Sequence, residues 1–229
     1  MRLSTSLGLT LGALAAANVV AHRVAPRAGV PIGGAVVVGL GLITRSAGLT
    51  PAELGLDPRT WRSGLRWGAG SAGLVAAGYG AALTIPAVRR AVPPSGGSRS
   101  RAVLRAAVTI PLTTVVPEEF AFRGVLLGLL VRHPATVGSG RCAAIASSIL
   151  FGLWHLLPAM GSGPANETVI GVVGTGPRGI AIRVTGTALV TAVSGLLMCQ
   201  VRLRSGSLLA PALAHWAVNG IGELVASVQ

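Results

Sequence analysis

The stretch TIPLTTVVPEEFAFRGVLLGLLVR, residues 109–132, decides how this chain is read. Two adjacent acids, Glu118 and Glu119, sit in the middle of an apolar run, in a protein with only six acidic residues. An ionised carboxylate inside a bilayer costs several kcal/mol unless it is paired or reaches water, so such a residue is a functional-site candidate. Arg123 follows Glu119 by four residues, one helical turn on and in the favourable acid-before-base order. That pairing accounts for Glu119. Glu118 projects about 100° away on the helix and has no local partner.

Composition extends this reading to the whole chain. Of 229 residues, 51% are hydrophobic and 11% charged, with a mean hydropathy of +0.70. A soluble domain carries roughly a quarter charged residues. The apolar runs of about 20 residues therefore predict an all-α, polytopic transmembrane bundle of seven to eight spans. The expected spans are 3–21, 30–45, 65–86, 102–131, 141–157, 180–201 and 207–227, filled largely by Ala, Gly, Val and Leu, which permit close helix contact in lipid. Together, residues 1–229 form one integral membrane domain. Residues 1–101 supply the N-terminal spans, and residues 102–229 the half that carries the polar motifs.

The net charge of +13 does not indicate nucleic-acid binding. All nineteen basic residues are Arg, dispersed at the ends of apolar spans where they suit lipid headgroups. The Arg-only bias suggests a GC-rich bacterial genome and hence a bacterial plasma membrane. A seven-span arrangement leaves nine arginines on each side, so the positive-inside rule gives no orientation. Cys142 and Cys199 lack metal-ligand spacing and read as small core residues.

Locally, a cleaved signal peptide is the rival to a retained first helix at residues 3–21. His22, between that segment and Arg23 and Arg27, reads as a solvated interface residue. Thr50-Pro51 with Glu53 is a helix start, with an N-cap, Pro at N1 and an acid at N3, and Asp57-Pro58 is a second. Trp61, Arg62, Leu65 and Arg66 mark an amphipathic interfacial helix near 50–66. Residues 87–101 and the GSGPANET and GTGPRG stretches read as loops. Pro111 and Pro117 are expected to bend or break the fourth run, placing the two acids at a fresh helix start. His133 reads as an exposed turn residue, and Glu223 as an interfacial acid without an evident partner.

Three runs then carry polar groups at costly depth: Glu118, His155 in FGLWH with Phe151 one turn earlier, and His215 with Asn219 at i+4. Each alone has a bland explanation as helix-packing glue. As a set they suit hydrolysis, with a carboxylate near a His to deprotonate water and a second His with an Asn amide to support an oxyanion. Alternatively, Glu118, His155 and His215 could hold a zinc ion with an open position. HExxH is absent, and no Ser or Cys stands in a nucleophile motif.

EEFAFRG at 118–124, FGLWH at 151–155 and HWAVN at 215–219 resemble, in order, the EExxxR, FxxxH and HxxxN motifs of the CPBP family. That family comprises CAAX prenyl-protein endopeptidases and bacteriocin-processing or immunity proteins, also called the ABI family. The resemblance covers about residues 110–221. It implies an intramembrane endopeptidase in which Glu118 and His155 activate water, His215 and Asn219 support the oxyanion, and Glu119, Arg123 and Phe151 hold the geometry. The family has been described both as metallo- and as glutamate-dependent, so zinc and metal-free mechanisms both stay open. The implied partner is a membrane-embedded or lipid-anchored protein or peptide; for a bacterial member a prenylated CAAX substrate is not expected. Two other functions compete: a proton-coupled transporter, and a non-catalytic scaffold or immunity protein binding a partner in the same cavity.

Overall fold

The computed structural model describes residues 2–92, 98–134, 139–161 and 164–228 and is almost wholly helical, with no strand among the described residues. Seven long helical runs organise it. We label them α1 (Leu3–Val24), α2 (Gly29–Ala47), α3 (Trp61–Leu83), α4 (residues 99–132), α5 (Gly140–Met160), α6 (Pro177–Ser205) and α7 (residues 209–226). Four of them, α1, α2, α5 and α6, are long and apolar enough to cross a membrane. In α3 the two arginines of the expected amphipathic helix continue directly into the apolar part without a break. Wide π-turns interrupt the regular helix three times in α4 and once in α7 among the described residues.

The middle of α4 is the centre of the molecule. Residues 121–129 (AFRGVLLGL) are buried all round, as expected for a helix with no polar face. Phe122, Val125, Leu126 and Leu129 pack with Leu14 of α1, Leu40 of α2 and Phe151 of α5. Small residues let the neighbours approach. A side chain at Gly33 of α2 would lie 2.8 Å from the Leu112 carbonyl and from Pro117, and one at Gly152 of α5 would lie 2.5 Å from the Ala188 carbonyl of α6. Accordingly α5 lies along α6, and α3 along α7.

Several expectations are corrected. Pro111 and Pro117 do not break the fourth run. Pro111 opens a π-turn, Pro111–Val115, and the backbone at Ile110, Val115 and Val116 stays right-handed helical. The wider turn absorbs the missing N–H and the ring clash that would otherwise stop a helix. Glu118 and Glu119 thus lie within a continuous helix, and no helix N-terminus helps hold their charge. Pro164–Val173, within an expected loop, is helical. Cys142 is exposed; Cys199 alone is a core thiol. Glu223 has a partner after all, with Arg105 of α4 at 3.2 Å.

The segment before α3 folds as its residues dictate. Thr50 and Glu53 form a reciprocal capping box on Pro51–Leu54, and the Asp57 side chain caps the 3₁₀ turn Pro58–Thr60. Arg202, at the end of α6, is buried and donates to the carbonyls of Ala52 and Glu53, groups that a short helix leaves unsatisfied. Not every arginine therefore seeks a headgroup: Arg123, Arg183 and Arg202 are buried. Expected loop residues 93–97, and Ser162 and Gly163, lie outside the described residues.

Candidate active site

The two adjacent glutamates have different surroundings. Glu119, 1% exposed, accepts through Oε1 from Arg123 Nη1 at 3.0 Å and from His215 Nδ1 at 2.7 Å. Arg123 is equally buried, and its guanidinium lies over the Phe151 ring at 4.0 Å, a cation–π contact made in a dry interior. A side chain at Gly195 of α6 would come within 3.4 Å of Arg123 Nη2 and 3.2 Å of Phe151, so the absence of one there makes room for this stack. Glu119 and Arg123 sit at i and i+4 and share one Nη1–Oε1 bond, while Glu119 Oε2 and Arg123 Nε and Nη2 are buried without hydrogen-bond partners among the described residues.

Glu118 is freer. Its Oε1 accepts from the indole N–H of Trp154 at 3.2 Å, while its Oε2 is buried without a hydrogen-bond partner. It lines a cavity of about 280 Å³ between α1, α2 and α4. The walls are mostly apolar, including Leu14, Ile32, Val36 and Phe122. A carboxylate with one spare oxygen in such a cavity is placed to bind and polarise a small polar molecule.

The histidines divide between the two acids. His155 ends the first part of α5, and its Nδ1 lies 2.8 Å from the Phe151 carbonyl. A carbonyl only accepts, so Nδ1 carries the proton and a neutral ring presents its lone pair at Nε2. His155 packs edge-on against Phe151 with centroids 4.6 Å apart. His215, in α7, faces Glu119, with Phe151 at 6.4 Å. Phe151 is therefore the ring on which Arg123 and both imidazoles converge. Asn219 lies in the π-turn Ala217–Ile221, half-buried, and its side chain makes no hydrogen bond among the described residues. Thus Glu119, Arg123, Phe151, His155 and His215 form one connected cluster, and Glu118 joins it through Trp154, the neighbour of His155. No hydrogen bond or ion pair joins Glu118 and His155 among the described residues.

These positions do not assemble a metal-ligand set. His215 and His155 each direct Nδ1 to an oxygen, of Glu119 and of a backbone carbonyl, which leaves both Nε2 atoms free among the described residues, so the histidine hydrogen bonds do not themselves exclude ligation. No three His, Cys, Asp or Glu side chains come together among the described residues. Glu118, His155 and His215 do not fit a zinc site as they stand, and no step below passes through a metal.

Sequence reasoning missed Trp154, whose N–H is the donor to Glu118, and did not foresee that His22, exposed as expected, also lines the cavity of Glu118. The signal for Trp154 was its place between Leu153 and His155 inside FGLWH. For His22 it was Asn18, a polar residue four positions earlier in an apolar run, the spacing already noted for His215 and Asn219.

Residues 100–221 match the family described as Type II CAAX prenyl endopeptidase, Rce1-like. The chain belongs to that family. Searches against curated proteins and solved structures find no match. Within the Rce1-like segment lie every polar residue of the cluster and Glu118; α1, α2 and α3 lie outside it. Rce1-like membership, with four helices apolar enough to span, makes this an integral membrane protein of an intramembrane endopeptidase family.

Proposed function

We propose that the protein hydrolyses a peptide bond of a membrane-anchored protein or peptide, with Glu118 as the base that activates water. The observation that supports this most is the unequal use of the two acids. Each acid keeps a buried Oε2 without a hydrogen-bond partner among the described residues, but Glu119 is committed through Oε1 to Arg123 and His215, whereas Glu118 accepts only from Trp154 and lines a cavity. In this reading Glu118 takes a proton from water as oxygen attacks the scissile carbonyl carbon. Breakage of the C–N bond then returns that proton to the leaving amine. His155, oriented through Nδ1 by the Phe151 carbonyl, presents Nε2 to the same water or to the leaving group. His215 is oriented by Glu119 through Nδ1, and in its protonated form Nε2–H donates, with the Asn219 amide, to the developing oxyanion. Arg123 and Phe151 keep Glu119 and the two rings in register.

The same reading takes all seven helical runs as spans of a single domain over residues 1–229, with Pro51–Thr60 at the interface. The wide turns in α4 and α7 place polar side chains at depth without stranding backbone groups. The decisive experiment is cleavage of a peptide library by purified protein in liposomes, comparing wild type with Glu118→Gln, with and without a chelator. Glu118→Gln is expected to lose at least about 100-fold in rate while unfolding at an unchanged temperature, and wild-type cleavage is expected to survive chelation. Wild-type rates from Glu118→Gln would overturn the assignment. Cleavage lost on chelation and restored by zinc would overturn direct activation by Glu118.

A further inference from the structure

Rce1-like similarity begins at residue 100, yet the cavity beside Glu118 is half built by residues 14–36. Its polar lining consists of His22, Thr113, Thr114, Glu118 and Trp154. Most of these groups are engaged. Thr113 donates to the Thr109 carbonyl and lies 3.3 Å from the Thr114 hydroxyl, and the Trp154 N–H is given to Glu118. Two are not: Glu118 Oε2, which is buried, and the imidazole of the exposed His22, which makes no hydrogen bond among the described residues.

His22 is held in place by its own helix. Asn18, one turn earlier and 7% exposed, donates through Nδ2 to the Trp154 carbonyl at 2.9 Å, fastening α1 to the residue whose indole holds Glu118. The π-turn Val20–Val24 then ends the helix, and the chain leaves through Ala25 with φ −137° and ψ 63°. His22 is therefore exposed at the rim while its ring lines the cavity.

A peptide entering an apolar cavity brings main-chain N–H and C=O groups that lose water, and each costs free energy unless it finds a partner. Leu14, Ala17, Ile32 and Val36 offer none. An imidazole can donate through one nitrogen and accept through the other. Resting on the proposed peptidase reading, we infer that His22 is a substrate-binding residue, juxtaposed with Glu118 across one cavity, which hydrogen-bonds the main chain of an extended, apolar peptide segment beside the scissile bond. The walls select small and medium apolar side chains, and α1 and α2 set this selectivity.

The test uses the full chain in liposomes and an internally quenched peptide of alanine, valine and leucine flanked by lysines. The first readout needs no turnover. His22→Cys is made with Cys142→Ser and Glu118→Gln, which leaves the buried Cys199 as the other thiol, and labelling by a small polar maleimide is followed by mass spectrometry. The peptide is expected to slow labelling at position 22 at least tenfold, and to leave labelling of an Arg27→Cys control, exposed outside the cavity lining, unchanged. Equal labelling with and without peptide overturns the inference. The second readout is kinetic: His22→Ala is expected to raise KM about tenfold with kcat within twofold, and His22→Gln to recover part of the loss. A fall in kcat with KM unchanged overturns the binding role. Cleavage by Glu118→Gln alone would instead sink Glu118 as the base, and absence of cleavage by wild type would sink the peptidase reading, while the labelling result stands by itself.

Discussion

Two glutamate–arginine pairs, one in the middle of α4 and one at its end, use the same chemistry in opposite settings. Glu119 and Arg123 are each 1% exposed and four residues apart. Glu53 and Arg132 are each about a third exposed and 79 residues apart. The inner pair is written into one helical turn, but what surrounds it — His215 on one side, the Phe151 face on the other — comes from α7 and α5. The outer pair closes a different kind of junction. Arg132 reaches both Glu53 carboxylate oxygens, one of them at 2.6 Å, and also the carbonyls of Ala47 at 3.3 Å and Gly48 at 3.0 Å. It pins the end of α4 to the turn after α2. Burial decides what each pair is worth. Removing one partner in a dry interior strands a charge, whereas at a wet edge water takes over.

Breaking the inner pair should have the largest effect on stability. Arg123→Ala is expected to destabilise the protein by about 3–5 kcal/mol, because it leaves Glu119 buried with only His215 and empties the space over Phe151. Thermal unfolding in detergent measures this; an unchanged midpoint would refute the role. The comparison sharpens if Arg123→Met is combined with Glu119→Gln. Removing both charges should recover a large part of the loss seen with Arg123→Met alone, since no buried charge is then unpaired.

The outer pair should respond less. Arg132→Ala is expected to cost about 1 kcal/mol, the upper range for a solvent-screened pair, and to depend on salt where the inner pair does not. Unfolding midpoints at low and high ionic strength distinguish the two. The smallest effect is a pH dependence. Burial pushes the Glu53 carboxyl up, but hydrogen bonds from Arg132 and Thr50 and the Arg132 charge outweigh it and hold it below its ordinary value. A carboxylate depressed in the folded state contributes stability above its unfolded value near 4.5, and loses it as pH falls through the folded value. The unfolding midpoint of wild type should therefore drop below about pH 4.5, and the same acid limb should be shallower in Glu53→Gln. Identical limbs in the two proteins would remove Glu53 from the account.

The comparison also explains what could be read without the fold. Glu119–Arg123 was legible because an α-helix brings residues four apart together whatever the rest of the chain does. The capping box at Thr50–Glu53 was legible for the same reason. Glu118 was recognisable as the acid without a local partner, but its donor, Trp154, is 36 residues away. The i+4 spacing that puts His215 and Asn219 on one face describes a straight helix, whereas Glu118 and His155 were associated only as members of one set of motifs. Here α5 turns at His155 and α7 widens just after His215, so helical spacing alone does not give the local geometry. The prolines of α4 misled for a related reason: a π-turn accommodates them without ending the helix, at a local cost that packing around residues 121–129 supports.

By itself, the amino-acid sequence determined what depends on composition and short range. It specified an apolar, helical membrane protein, a carboxylate–arginine turn at its centre, and three short motifs that mark an endopeptidase family. Only the tertiary structure decided which acid is spent and which is spare, that Phe151 joins the arginine to both histidines, and that His22 of the first helix looks into the cavity of Glu118. The reason is physical. The contacts among them that join different helices link residues 28 to 136 positions apart, and they exist only where glycines and alanines let helices close to within a side chain of one another, a condition no single helix carries in its own periodicity.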